Sequence, residues 1–162
     1  FEQPDSGSGS FLELNIKSKD YLKTTSEQAK QNHNKTTLKK NIVANTEISV
    51  LISTLDKIIS EQNLELIHLL KIDTQGYEKE VLSGAPKTLN KTLILEVEVI
   101  FADLYKKQSK LSDLEKILAP KGFVLWDIPY IGKLPESDLQ KISFIDALFV
   151  NTKLLSQITP RN

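Results

Sequence analysis

Hydrophobic patterning divides the chain near residue 45. Before that point, "PDSGSGS" (4–10) is turn or linker material, and "FLELNIK" (11–17) alternates as a half-exposed strand does. The following stretch to residue 45 is polar with little apolar periodicity, a loop or a marginal helix. From residue 46 the pattern becomes regular. "EISVLI" (47–52) predicts a strand. Ser53 with Asp56 three residues on has the form of a capping box, and Leu55, Ile58 and Ile59 give the next short helix an apolar face. "LELIHLLKI" (64–72) is almost continuously apolar, as expected of a strand covered on both faces. "YEKEVLSG" (77–84) predicts a short helix ended by Gly84, with Pro86 able to start the next turn. "TLILEVEVI" (92–100) predicts a second buried strand, and "SKLSDLEKILA" (109–119) puts Leu111, Leu114, Ile117 and Leu118 on one helical stripe, stopped by Pro120 and Gly122. "FVLWDI" (123–128) and "FIDALFV" (144–150) predict two more strands.

Strands alternating with helices predict an α/β fold: a mostly parallel sheet with helices on both faces. The last connection, 129–143, holds Pro129, Gly132 and Pro135 and has no helical stripe. Without a crossover helix the final strand returns antiparallel.

Composition narrows the function classes. With 162 residues, 40% of them hydrophobic and 26% charged, the chain suits one globular domain. Twenty-one basic residues balance twenty-one acidic ones, so no global field draws in nucleic acid or an anionic membrane. The lack of cysteine removes disulfides, thiolate metal sites and a cysteine nucleophile, and fits a reducing, cytoplasmic setting. No apolar run reaches the length of a membrane span. "GSGS" neither follows a strand nor opens a helix, so it is no dinucleotide fingerprint, and no phosphate-binding glycine loop or nucleophilic triad is visible. The lysines at 35, 39 and 40 lack interleaved aromatics and read as a solvated face, as does His33. His68, mid-strand and without a second histidine nearby, reads as a satisfied core histidine rather than a metal ligand. Trp126 and Tyr130 read as core, with stacking on a flat ligand as the alternative.

Candidate chemistry gathers at two strand ends, where open α/β sheets bind ligands. Asp73 follows "LLKI" and precedes Thr74-Gln75-Gly76, a turn that opens a helix. A carboxylate there can take a proton from a hydroxyl or orient a ligand, or it can simply cap the helix or its turn. Glu78 and Glu80 oppose the positive end of the helix dipole, which alone accounts for their placement. Glu96 and Glu98 share a face of the next strand, and a buried carboxylate needs a partner or a solvated cleft. Glu96 is the better site candidate, with a salt bridge to a lysine as the plain explanation.

These residues carry a family resemblance. "LIHLLKIDTQGYEKEVLSGA", "LILEVEVIFADLY", "LEKILAPKGFVLWDI" and "FIDALFV", four ordered blocks within 49–150, resemble the C-terminal part of FkbM-type methyltransferases, "STLDKII" (53–59) fits as well, and residues 1–45 match loosely. The resemblance implies a Rossmann-like class I methyltransferase sheet of seven strands with an antiparallel last strand. It implies S-adenosylmethionine as cofactor and a small-molecule or glycan hydroxyl as methyl acceptor, on a sugar, glycan intermediate or natural product. It also implies Asp73 as base or substrate-orienting group, with Gln75, Gly76, Glu78 and Glu96 shaping the pocket wall.

Two of the family's features are not found before Lys71: a strand with a glycine-rich turn, and a later strand-ending acid for the ribose. The expectation is therefore a variable segment over 1–45 and the C-terminal part of a methyltransferase domain over 46–162, with the N-terminal strands missing. Acceptor specificity is expected from the loops 18–45 and 129–143. The strand around Leu69 would then expose an apolar edge open to self-association. The alternatives are a non-catalytic remnant or interaction domain lacking the cofactor-binding half, and an unrelated Rossmann-like binding module.

Overall fold

Alternation along "TLILEVEVI" determines the architecture: every second side chain points to one side of the strand, and on that side Leu95, Val97 and Val99 are buried. The computed structural model describes residues 10–24, 49–134 and 141–159. In chain order these form α1 (Leu55–Glu61), β1 (Ile67–Ile72), α2 (Glu78–Ser83), α3 (Pro86–Asn90), β2 (Thr92–Ile100), α4 (Leu111–Leu118), a 3-10 turn (Ala119–Lys121), β3 (Phe123–Lys133), β4 (Ile142–Asn151) and α5 (Thr152–Ile158). The four strands make one mixed sheet in the order β1-β2-β4-β3. β1 and β2 are parallel, while β4 runs antiparallel to both of its neighbours. Three strands thus point one way and the last the other, as expected for an α/β protein whose final connection lacks a crossover helix.

Cross-strand register stacks Leu95 on Phe149, Val97 on Ala147 and Val99 on Ile145, and Ile72 of β1 faces Val97. Leu82, Ala85, Leu89, Leu114 and Leu118 close over this layer to complete the main core. Each leucine so buried contributes about 2 kcal/mol of transfer free energy. The α4 stripe divides by depth, with Leu114 and Leu118 fully buried and Leu111 and Ile117 half-buried against the same core. Gly122 ends the 3-10 turn at φ 90°, and a Cβ there would lie 2.7 Å from Lys153 Cβ.

The second face of the sheet has no comparable helical layer among the described residues, since α5 buries none of its side chains. Helical cover on both faces, expected from alternation, is thus not seen among the described residues. β1 is correspondingly less buried than its apolar run predicted: it begins at Ile67, and Leu69 is 55% exposed. His68 is exposed rather than a core histidine, because it lies on an edge strand.

Other expectations are corrected. Residues 49–54 form no strand, and Leu51 is fully exposed; β-branched side chains make a strand only where a partner is available. Residues 47 and 48 lie outside the described part. The 11–17 segment pairs only through an isolated bridge between Leu14 and Tyr105. Thr54, not Ser53, caps α1, its hydroxyl accepting from Lys57 N. Asp56 reaches instead to α3, accepting from Lys87 N at 3.0 Å and from Thr88 N and Oγ1 at 2.7 Å each. β3 continues past residue 128 to Lys133 through irregular pairing around Pro129. Trp126 is 63% exposed and Tyr130 is exposed too, so neither is a core residue. His33, the lysines at 35, 39 and 40, most of the 18–45 loop and residues 135–140 lie outside the described residues.

Candidate functional site

At the carboxyl end of β1, buried Ile72 is followed by exposed Asp73, and the chain then turns through two consecutive left-handed residues. Gln75 has φ 53° and Gly76 φ 95°. Glycine is needed at the second position, because a Cβ would meet Gln108 Cβ at 3.0 Å and Leu12 Cδ1 at 3.1 Å. Glu78, only 1% exposed, holds the turn closed. Its Oε1 accepts from Thr74 N at 3.1 Å, Thr74 Oγ1 at 3.2 Å and Gly76 N at 3.0 Å. From the other side Ser109 donates to Gly76 O through both N and Oγ, at 2.8 Å each. Thus the motif Asp-Thr-Gln-Gly-Tyr-Glu encodes a rigid turn, closed by its own glutamate, that projects two side chains, Asp73 and Gln75.

Gln75 links this turn to β2. Its Nε2 donates to Asp73 Oδ1 at 2.9 Å and to Glu98 Oε2 at 3.1 Å, while Tyr105 Oη donates to Gln75 Oε1 at 3.2 Å. Glu98 is pushed up to about 8 by its burial first, then by the charges of Asp73, Glu78 and Asp146 and by a hydrogen bond with Asp73. Burial, with the charges of Glu98 and Glu78 next, raises Tyr105 to about 12, so its phenol stays a donor at neutral pH. Asp146 of β4 lies opposite Glu98, and Tyr130 of β3 opposite Asp146. Three carboxyl groups and two phenols therefore share one end of the sheet.

The second wall comes from the N-terminal segment. Leu14, Tyr21, Ile100, Ala102, Tyr105 and Leu134 form a satellite core beside the end of β2. Asn15 N donates to Leu104 O and Lys106 N to Glu13 O, both at 2.8 Å, and Ser10 Oγ donates to Gln75 O at 2.8 Å. Residues 10–24 thereby brace the turn that carries Gln75.

Of the candidates named from sequence, Asp73, Gln75, Gly76 and Glu78 lie together on this turn, with Glu78 buried beneath it. Asp73's carboxylate accepts from Gln75 rather than capping α2, whose N-cap, Tyr77, makes no side-chain capping bond. Glu96 stands apart: it pairs with Lys71 at 2.7 Å, and that hydrogen bond and charge hold Lys71 above its ordinary value. Glu98, two residues on, is the strand-end acid that joins the turn. Tyr105 and Asp146 escaped the sequence reading. Tyr105 has no periodicity to mark it, and Asp146 reaches Glu98 only through the β2–β4 register.

An α/β sheet with acids and a braced turn at the carboxyl ends of its parallel strands is the layout of a ligand-binding α/β domain. Comparison with known proteins gives the family: residues 4–125 match the methyltransferase FkbM domain, and the chain belongs to that family. The match takes in the N-terminal segment and ends before β4. A relative, the 2-O-methyltransferase NoeI of Sinorhizobium fredii (strain NBRC 101917 / NGR234), is 38% identical over 71 residues, which are 44% of this chain and 29% of the relative. The chain thus spans less than a third of that relative's length. No solved structure matches it.

Proposed function

We propose that the chain is part of an S-adenosylmethionine-dependent O-methyltransferase acting on a hydroxyl of a sugar, glycan intermediate or natural product. The observation that carries this reading is the Asp73–Gln75–Glu98 set, which lies inside the family match at the carboxyl ends of two parallel strands.

S-adenosylmethionine supplies an electrophilic methyl group on a positively charged sulfur. The described residues fit that part of the cofactor, since Asp73 and Asp146 bring acidic side chains to this end of the sheet and Asp73 is exposed there. Asp73 is the group to lie toward the reacting hydroxyl. When bound, the cofactor would supply that methyl group to the hydroxyl oxygen and keep the bonding pair on its sulfur, and the Asp73 carboxylate would take the hydroxyl proton. Glu98, protonated at neutral pH, hydrogen-bonds Asp73, holds one proton beside it and keeps the second charge out of the site. The matched relative's name supports oxygen as the methyl-accepting atom.

Isothermal titration of S-adenosylmethionine into the folded chain tests the proposal. Saturable binding in the micromolar range supports it. A folded chain that binds none favours the second reading, a non-catalytic interaction domain, for which the exposed apolar side chains on β1 and β3 speak.

A further inference from the structure

Among the described residues, the amide of Gln75 is the group that touches both carboxyls of the proposed site, and its orientation is not free. Asp73 Oδ1 and Glu98 Oε2 lie on its nitrogen side, at 2.9 and 3.1 Å, and the Tyr105 hydroxyl lies on its oxygen side at 3.2 Å. The carboxyl oxygens decide which side the nitrogen takes, since a flipped amide would set its oxygen against Asp73 Oδ1, and the Tyr105 hydroxyl anchors the oxygen side in place. The backbone is fixed as well, because Gln75 O accepts from Ser10 Oγ at 2.8 Å and the turn is closed by Glu78 and Ser109. Tyr105 is 5% exposed and packed within the satellite core, so its hydroxyl is held by the fold rather than by solvent.

We infer that Gln75 and Tyr105 are a positioning pair: the Tyr105 hydroxyl anchors the Gln75 amide so that its nitrogen donates at once to Asp73 and Glu98, holding the two carboxyls side by side. The inference rests on the proposed role of Asp73 and Glu98, and extends it to Gln75 and Tyr105, which act through those two carboxyls. An N–H donor shared by two carboxyls favours their charged form, so it offsets part of the mutual repulsion that drives the pair to keep its proton. The charged and titratable groups around Glu98 are Lys71 and Asp73 at β1, Glu96 on β2, Glu78 on α2, Asp146 on β4, Tyr130 on β3, and Tyr105 in the loop after β2. Lys71 is held by Glu96, which leaves the Gln75 amide as the donor aimed at the pair.

Carboxyl-carbon NMR titration of the whole chain reads this without any acceptor. In the unaltered protein the Glu98 midpoint is expected near 8. Tyr105→Phe keeps the buried ring and removes only the anchor, and the midpoint should rise by about half a unit to one unit as the amide turns away. Gln75→Asn suits the left-handed backbone but is too short to reach both carboxyls, and should raise it at least as far. Two folded variants with an unchanged or lowered Glu98 midpoint overturn the positioning pair while leaving the carboxyl pair intact. A Glu98 midpoint near the ordinary glutamate value in the unaltered chain overturns both.

Discussion

Asp73 and Glu98 are neighbouring acids whose surroundings assign them different tasks. On the reading proposed above, the exposed Asp73 is the proton acceptor, so Asp73→Asn should slow methyl transfer more than tenfold while barely changing the unfolding midpoint. Measuring S-adenosylhomocysteine release over a panel of hydroxylated acceptors checks this, and an unaltered rate would remove Asp73 from the mechanism. Glu98 carries a stability signature. In the unfolded chain it releases its proton near the ordinary 4.5, in the folded chain only near 8. Below 4.5 both states hold the proton; between these values the folded state binds more, so stability falls as pH rises, by at most about 1.4 kcal/mol per unit. Above about 8 the loss is complete. Glu98→Gln should flatten that decline in urea unfolding, and a slope as steep as in the unaltered chain would assign it to another group. Alternation along β2 puts Glu96 and Glu98 on one face, and the sequence favours Glu96 of the two as the site candidate. What separates them is Lys71, which sits opposite Glu96 in the β1–β2 register, and a register between distant strands is not written in either strand alone.

At the scale of elements, legibility followed the presence of partners. β2 and α4 repeat their apolar positions so regularly that their ends fell within a residue or two of the observed ones, because each has one face against the core. The 47–52 run has the composition of a strand, yet the residues from 49 on pair with nothing described. In β3, Pro129 and Gly132 read as breakers, but the strand continues. Proline costs little where pairing is already broken, and the register shifts between Asp127 and Tyr130. Asp56 illustrates the same limit: its spacing from Ser53 suggested a local cap, whereas its carboxylate serves the N-terminus of α3. Burial alone would raise it, but the hydrogen bonds from Lys87 N, Thr88 N and Thr88 Oγ1 outweigh that and hold it below the ordinary 3.8. Asp56→Ala should therefore cost about 1–2 kcal/mol at neutral pH, as loss of a helix cap does. A depressed carboxylate stabilises only while ionised, so the gap between variant and parent should close as pH falls through that lowered value. Denaturant midpoints at neutral and acid pH measure both parts.

At the scale of the molecule, the two ends of the sheet differ in a way that bears on association. β3, at one end, is interrupted by register shifts and by Pro129, which has no N–H to offer, and such an edge is a poor template for another strand. β1, at the other, pairs with β2 in unbroken parallel register, and no strand among the described residues pairs with its outer side. Its Leu69 begins a cross-strand row that runs through Ile94 and Val150 to Val124, and both ends of that row are about half exposed. An edge with free backbone groups beside an uncovered apolar row gains from pairing with a second copy, because the contact would satisfy the former and bury part of the latter. The chain should accordingly show an apparent mass that rises with concentration in sedimentation velocity. Leu69→Lys places a charge on that edge without touching the core, and should return the chain to monomer while leaving its circular dichroism unchanged. If the lysine variant associates as strongly as its parent, the contact is not at β1; if the parent stays monomeric at every concentration, this edge does not recruit a second copy.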